Sequence, residues 1–373
     1  MTDRIYLDYN ATAKIRPEVI EALGGAMSKV GNASSVHGAG RDARKAVENA
    51  RRQVASLISA APDQVVFTSG GTEADNQVML NCDPDRTFVS TIEHPAILDS
   101  CPGAHRVPVT GDGVIDLDAL DEMLTAAGDP QVVALMLANN ETGVLQPVGE
   151  AAAIAHRHGA MLHCDAVQAV GKIPVDFAAL GADTMALTGH KFGGPQGVGA
   201  LIVRTPDSIN CLMRGGGQEQ GLRGGTESVA HIVALGVAAE IATDRIDSYA
   251  ALGELRDRME ARLLQATPGM RVFGGSAARL PNTSKLMMPS VSSETQVMSF
   301  DLAGIEVSAG SACSAGRVEP PYVLTAMGVA DDEALCALRV SLGWDTTESE
   351  IDRFVDEWSR IFERAGGAAR AAE

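Results

Sequence analysis

The sequence predicts an α/β protein, in which a large domain built on a mostly parallel sheet is joined to a smaller α+β domain. The first observation is a series of short apolar runs that end in small or polar residues, which is typical of buried strands. These runs lie at 65–68, 88–91, 132–138, 161–164, 184–187 and 198–203. The second observation is a helical stretch at about 148–158 that separates two of the runs. Such alternation predicts parallel strands with helices on both faces of the sheet.

The remaining elements follow from local patterns. Apolar residues recur every three or four positions over 43–57, which predicts a helix with one buried face. A long helical pattern over 226–264 predicts the link between two domains, and Thr347 and Glu350 form the capping box of a last helix. Shorter strands are predicted at 271–273, 284–288 and 338–341. We expect a large domain at 14–255 and a small domain formed by 1–13 and 256–373.

Composition excludes several classes of partner. The 373 residues include 48 acidic and 30 basic side chains, a net charge of -18 that repels nucleic acids and anionic lipid surfaces. No apolar run approaches the roughly 20 residues that span a bilayer, and acidic residues interrupt the first positions, where a signal peptide would be apolar. We expect a cytoplasmic protein without membrane or nucleic-acid partners. Its six cysteines are widely spaced, so they are expected to be free thiols, one of which can have a chemical role.

Polar residues follow the predicted strands, at the sheet edge where ligands of open parallel sheets bind. After the first strand, residues 69–73 form a Gly-rich turn before a helix, where backbone N–H groups and the Thr72 hydroxyl can bind a phosphate. Plain turn and cap residues are the alternative for this segment, because neither a Walker A motif nor a Gly-x-Gly-x-x-Gly accompanies it.

A lysine and an aspartate at two other strand ends favour one cofactor. Lys191 directly follows a buried strand, where burial favours the neutral amine that Schiff-base chemistry needs. Asp165 ends another strand and can hold the proton of a pyridine nitrogen, which pyridoxal 5'-phosphate (PLP) requires. Each residue alone has an ordinary interpretation, a surface lysine and a turn aspartate. Together with the phosphate cup they favour a PLP site.

Metal binding is the competing interpretation of the same region. Five candidate ligands lie within ten positions, namely His156, His158, His163, Cys164 and Asp165. The last three alternate between the two faces of one strand, and the first two lie at a helix end, where histidine is common. We therefore expect no metal site.

The motifs of the chain resemble those of the cysteine desulfurases of the NifS/IscS type, which are fold-type I PLP enzymes of the class V aminotransferase group. In order, the motifs are YLDYNAT (6–12), GNASSVH (31–37), FTSGGTE (67–73), EH (93–94), NNETG (139–143), DAVQ (165–168), GHK (189–191), GGGQ (215–218), RGGT (223–226), GSAC (310–313) and RVSLG (339–343). They cover nearly the whole chain. The resemblance implies the fold-type I architecture, the PLP cofactor and a homodimer.

The resemblance also implies a role for each site residue. Lys191 would carry PLP, Asp165 would face the pyridine nitrogen, and His94 would stack on the ring and move protons. Gln168 and Asn140 would approach the ring hydroxyl. The phosphate would be held by Gly71, Thr72, Thr188 and His190, joined by Thr226 of the other subunit. The substrate would contact Asn10, Asn140 and Arg339, with its carboxylate on the guanidinium.

The nucleophile implied by the resemblance is Cys313. Its segment, 308–316, is too small and Gly-rich for a packed element, which predicts a mobile loop. The expected reaction removes sulfur from L-cysteine, giving L-alanine and a Cys313 persulfide, and the sulfur then passes to an acceptor or an iron–sulfur scaffold protein.

Two alternatives remain open. One is a selenocysteine lyase or another class V PLP enzyme, and the other is a PLP-binding or sulfur-carrying protein without turnover. The presence of both Lys191 and Cys313 argues against the second alternative. The chain also departs from the family pattern beside the site. The departures are Ala33 for proline, Gly71 for alanine, Gln196 for lysine and Gln220 for arginine.

Overall fold

A computed structural model describes residues 4–206, 209–310 and 319–366, and its strands form three sheets within those ranges. The strands are β1 (Ile5–Tyr6), β2 (Val65–Thr68), β3 (Thr87–Ser90), β4 (His105–Val107), β5 (Val132–Ala134), β6 (Met161–Asp165), β7 (Thr184–Thr188), β8 (Gly199–Val203), β9 (Arg271–Phe273), β10 (Thr283–Met287), β11 (Ile305–Glu306) and β12 (Ala337–Ser341). The α-helices are α1 (Pro17–Met27), α2 (Gly38–Leu57), α3 (Gly71–Met79), α4 (Pro95–Leu98), α5 (Leu117–Ala127), α6 (Val148–Arg157), α7 (Phe177–Leu180), α8 (Val229–Ala250), α9 (Leu252–Ala266), α10 (Ser293–Leu302), α11 (Tyr322–Ala326), α12 (Asp331–Ala334) and α13 (Glu348–Arg364).

The largest sheet has the strand order β2-β8-β7-β6-β5-β3-β4. Strands β4, β3, β5, β6 and β7 run parallel, whereas β8 is antiparallel to both of its neighbours. The predicted mostly parallel sheet is therefore confirmed. The sequence did not predict β4, because two of its three residues, His105 and Arg106, are exposed and polar.

The flanking helices agree with the sequence patterns. Helix α2 buries Ala43, Val47, Ala50 and Val54 against the main core, as its spacing predicted. The long helical pattern corresponds to two helices, α8 and α9, which are separated at Ala251. No helix in the described part of the chain has both the length and the apolar character that crossing a membrane requires.

A second hydrophobic core surrounds the small antiparallel sheet β12-β10-β9. Phe300, Phe354 and Trp358 pack together at its centre, where the rings of Phe300 and Phe354 are stacked with their centroids 4.9 Å apart. The predicted capping box at the start of α13 is present, since the Thr347 N–H donates to Glu350 Oε2 at 2.7 Å. The predicted domain boundaries stay a prediction.

The N-terminal segment connects the two cores. Strand β1 pairs with β11 beside the second core, and Asp8 then forms a bridge to Ser341 at the end of β12. The Ala13 N–H donates to the carbonyl of His190, which lies in the turn after β7. The segment between them therefore carries Asn10 across the carboxyl edge of the large sheet.

Candidate active site

The predicted site residues converge on a cleft of about 390 Å³ at the carboxyl edge of the large sheet. This volume lies within the range of small-molecule sites. The cleft is lined by Asn10, Gly71, Thr72, His94, Asn140, Asp165, Gln168, Thr188, His190, Lys191 and Arg339, among others. Two predicted residues are not part of this lining. Thr226 is exposed in the single chain, and Cys313 lies outside the described residues.

Lys191 lies in the tight turn that follows β7. Its Nζ donates to the main-chain oxygens of Asn10 at 2.6 Å and Ala11 at 2.9 Å. Burial, and then the positive charge of Arg339, lowers the pKa of Lys191 to about 8. At neutral pH roughly a tenth of such an amine is uncharged, so Lys191 can act as a nucleophile.

Asp165 presents a buried carboxylate at the end of β6. Its Oδ1 accepts the Val167 N–H at 2.9 Å. Burial raises the pKa of Asp165 to about 6. Within the described ranges, Asp165 forms no ion pair with a basic side chain.

His94 caps the N-terminus of α4 and faces the same cleft. Its Nδ1 accepts the Ala96 N–H at 3.1 Å, so the proton of the neutral ring lies on Nε2. Burial lowers the pKa of His94, whereas the charge of Asp165 raises it and the charge of Lys191 lowers it. The net lowering favours the neutral ring.

The N-terminus of α3 forms an anion cup. Gly71 and Thr72 begin the helix beside Thr188 and His190, in a second cleft of about 470 Å³ that shares these residues with the first. Burial, and then the charge of Lys191, lowers the pKa of His190 to about 4, which leaves its ring neutral. A Cβ at Gly71 would lie 2.6 Å from Cγ2 of Val167, so an alanine at this position would require Val167 to move.

Arg339 projects from β12 into the other side of the cleft. Its Nη2 donates to Asp8 Oδ1 at 2.6 Å, and its Nη1 donates to the main-chain oxygen of Asn140 at 3.2 Å. Its Nε is buried without a partner in the described chain, as is Asn140 Oδ1. These atoms leave unused hydrogen-bonding capacity at the site.

The Asn10 side chain is occupied by the protein itself. Its Nδ2 donates to Asn140 O and Thr283 Oγ1, and its Oδ1 accepts from Lys172 and Asn282. A substrate contact of Asn10 therefore stays a prediction.

Two buried groups beside the cleft are not predicted from the sequence. Asp75 lines the cleft on α3, and its Oδ1 lies 3.1 Å from Nε2 of His163. Burial raises the pKa of Asp75 to about 8 and lowers that of His163 to about 4. Its spacing of four residues from Gly71 places Asp75 on the same helix face, which was an available signal. Lys172, which is 1% exposed, lies behind Gln168.

Comparison with known proteins gives the family. The sequence pattern of Aminotransferase class-V matches residues 5–354. The chain belongs to the class-V aminotransferase family. It is 44% identical over 371 residues to a cysteine desulfurase of Cereibacter sphaeroides, which covers 95% of this chain and 94% of that protein. The predicted resemblance to the NifS/IscS branch of the family is thus confirmed.

Solved structures in the family have the same fold. A NifS-like protein from Rickettsia africae ESF-5 superposes with a TM-score of 0.90 at 36% identity, covering 96% of this chain and 99% of that one. A structure of SspA in complex with cysteine gives a TM-score of 0.77 at 28% identity, covering 91% and 98%. The predicted fold class is confirmed.

PLP is the cofactor of this family, and the residues of the cleft fit it. Asp165 is a buried carboxylate that is not paired with a basic side chain in the described chain, so it can accept the N–H of a protonated pyridine. The cup at α3 fits a phosphate, and Lys191 is an amine with a lowered pKa. The unpartnered Asn140 side-chain oxygen leaves a polar contact for the ring.

Proposed function

We propose that this chain is a cysteine desulfurase, which converts L-cysteine to L-alanine and retains the sulfur as a persulfide. The observation that carries the proposal is that one cleft holds the Lys191 amine, the Asp165 carboxylate and the Arg339 guanidinium. The relatives described as cysteine desulfurases and the SspA complex with cysteine support this choice of substrate.

Lys191 is the residue that would carry the cofactor. When bound, PLP supplies an electron sink for bonds that break at the substrate Cα. The lowered pKa of Lys191, about 8, provides an uncharged amine both for attachment and for taking a proton from Cα. Its contacts with Asn10 and Ala11 aim Nζ across the cleft.

The ring would be held by Asp165, His94, Gln168 and Asn140. Asp165 is ionised above about pH 6, so it keeps a proton on the pyridine nitrogen at neutral pH. His94 is neutral and offers an imidazole face for stacking, with a proton on Nε2 that can be donated. Gln168 and Asn140 would approach the ring hydroxyl.

The phosphate and the substrate carboxylate have separate positive environments. The N–H groups at Gly71 and Thr72 would bind the phosphate together with the Thr188 and His190 side chains. The buried Arg339, which Asp8 holds in place, would bind the substrate carboxylate. The two anionic groups would thus be bound by different residues of the cleft.

Sulfur transfer would need the thiolate of Cys313. The thiolate attacks the substrate sulfur, so that an S–S bond forms and the substrate C–S bond breaks. The released electron pair and a proton become the third hydrogen of the alanine methyl group. One thiol and one cysteine therefore give one persulfide and one alanine, without another oxidant or reductant.

A homodimer would complete the site with Thr226 of the partner subunit. An apolar cleft of about 930 Å³ lies between α1, α2 and α8, with Met27 and Val30 at its rim exposed by 68% and 89%. A second copy would cover this surface, since apolar patches of this kind mark interaction sites. Light scattering should give about twice the 38.8 kDa of one chain, and a fully active monomer would contradict a shared site.

The acceptor of the sulfur would be a second protein in the cytoplasm, such as an iron–sulfur scaffold. The function itself is tested by incubating the PLP-loaded protein with L-cysteine and a thiol reductant. Alanine and sulfide should appear in equal amounts, whereas the Lys191→Ala variant should release neither. PLP-loaded protein that leaves L-cysteine unchanged would contradict the proposal.

A further inference from the structure

A second buried lysine lies directly behind the cofactor cleft. Lys172 is 1% exposed, and its Nζ donates to Asn10 Oδ1 and Gln168 Oε1, both at 2.7 Å. Within the described ranges it forms no ion pair with a carboxylate, in contrast to buried Lys285, whose Nζ lies 2.9 Å from Glu141 Oε2. Burying a lysine without a carboxylate partner costs folding free energy. We therefore expect the contacts that Lys172 makes to serve a function.

The backbone turns Lys172 inward by a tight turn. The Lys172 N–H donates to Ala169 O, and Gly171 has a φ of +78°. A Cβ at Gly171 would lie 2.5 Å from Cβ of Phe192, so only glycine fits there. The chain therefore folds in a way that buries this lysine.

The contacts of Lys172 determine how two amide side chains are oriented. A lysine presents N–H donors, so the amide oxygens of both Gln168 and Asn10 point toward it. Gln168 must then point its Nε2 the other way, where one N–H donates to the Asn10 main-chain oxygen at 3.0 Å. The hydrogen bonds of Gln168 to the described chain leave its second N–H without an acceptor, and Gln168 is one of the residues that line the cleft.

We propose that Lys172 is a positioning residue for the cofactor. It holds the Gln168 carboxamide with its oxygen turned away from the cleft, so that Gln168 offers an N–H donor to the hydroxyl oxygen on the PLP ring. The inference rests on the proposed function only for the contact between Gln168 and the ring. It extends that proposal to a residue that touches neither cofactor nor substrate. Reversal of the amide would turn its oxygen toward the cleft and would remove that N–H donor.

The same contacts connect Lys172 to Lys191. Asn10 accepts from Lys172 through its side chain and from Lys191 through its main-chain oxygen. Burial, and then the charges of Lys191 and Arg339, lowers the pKa of Lys172 well below its ordinary value. The two hydrogen-bond acceptors of Lys172 are oxygens of neutral amide side chains.

A double-mutant cycle tests this inference through cofactor affinity. Apoproteins carrying Lys172→Met, Gln168→Leu or both are titrated with PLP, and the dissociation constant and the absorption maximum of the bound cofactor are recorded. Each single variant should weaken PLP binding about tenfold. The absorption maximum of bound PLP should shift equally in the two single variants. The double variant should bind PLP as the Gln168→Leu variant does, because Lys172 acts through Gln168. Effects that multiply in the double variant would overturn the proposal.

A second variant covers the case in which Lys172→Met does not fold. Gln168→Glu keeps an oxygen for Lys172 but removes the N–H groups, so it should lose PLP affinity to the same extent as Gln168→Leu. Unchanged affinity in Gln168→Glu would show that no Gln168 N–H contacts the ring and would overturn the proposal. These measurements need no turnover, so an inactive wild-type protein that binds PLP would contradict the proposed function alone.

Discussion

Lys191 Nζ lies 2.6 Å from the main-chain oxygen of Asn10, a residue 181 positions earlier in the chain. The contact joins the end of β7 to the N-terminal segment that leads from the second core. The reactive amine is therefore aimed by a segment outside its own strand. Arg339 is tied to the same segment through Asp8, so the amine and the carboxylate site are set relative to one another.

Lys191→Ala should abolish covalent attachment of PLP, because the variant lacks the amine with the lowered pKa. Borohydride reduction followed by peptide mass spectrometry measures the attachment. Exposed Lys45 on α2 provides a matched control, and Lys45→Ala should be labelled as the wild type is. A reduced adduct on another lysine in the Lys191→Ala variant would contradict the assignment.

Arg339→Lys should raise the KM for L-cysteine about tenfold or more, because an ammonium cannot make the paired contacts of a guanidinium. The affinity for PLP should stay unchanged, since Arg339 is assigned to the substrate alone. Asp8→Asn should give a smaller rise in KM, because it only loosens the guanidinium. Steady-state kinetics and PLP titration together separate these effects, and an unchanged KM in Arg339→Lys would remove this residue from the substrate site.

Gly71→Ala should weaken PLP binding, because the added Cβ would lie 2.6 Å from Val167 Cγ2 beside the phosphate cup. Crowding of this kind costs about 1–3 kcal/mol. The double variant Gly71→Ala with Val167→Ala removes the clash and should recover most of the affinity. If the second substitution restores nothing, the contact between these two residues is not the reason for glycine at this position.

Asp75 should make stability depend on pH. Burial raises its pKa to about 8 in the folded state, against about 3.9 when unfolded. The folded state therefore binds the Asp75 proton more tightly than the unfolded state does. The stability that protonated Asp75 contributes is lost as pH rises from about 4 to about 8. Asp75→Asn cannot titrate, so its free energy of unfolding should fall less over this window, by up to about 1.4 kcal/mol per pH unit. Urea unfolding at several pH values with saturating PLP measures the difference, and parallel curves would contradict the raised pKa.

Lys191 and Asp165 could be predicted from sequence because each lies at or just beyond the end of a buried apolar strand. Once the alternation of strands and helices indicated a parallel sheet, strand ends could be expected at one edge. The motif resemblance supplied His94, Gln168 and Arg339. The structure brings all five to one cleft.

Lys172 could not be predicted in the same way. Lys172 lies in a turn, and its burial depends on the packing of Gly171 against Phe192, which local sequence does not encode. The Asp8–Arg339 pair depends on the bridge between the N-terminal segment and β12, whose residues are more than 300 positions apart. Long-range pairing of this kind is a property of the tertiary fold.

Burial separates four other cysteines from the proposed chemistry. It raises the pKa of the Cys82 thiol to about 11 and also raises the pKa of the Cys101, Cys164 and Cys336 thiols. A thiol with a raised pKa is a poor source of thiolate. This leaves Cys211, which is half-buried with Sγ 3.1 Å from Met213 O, as the matched control for Cys313.

The most direct test of the account is sulfide release and persulfide mass labelling with L-cysteine in the Cys313→Ser variant, beside Cys211→Ser. Cys313→Ser should bind PLP with wild-type affinity and lose sulfide release, because a serine hydroxyl has no soft sulfur and a far higher pKa than a thiol. Cys211→Ser should keep both activity and a persulfide on Cys313. Sulfide release by Cys313→Ser, with the persulfide found on another cysteine, would contradict the account.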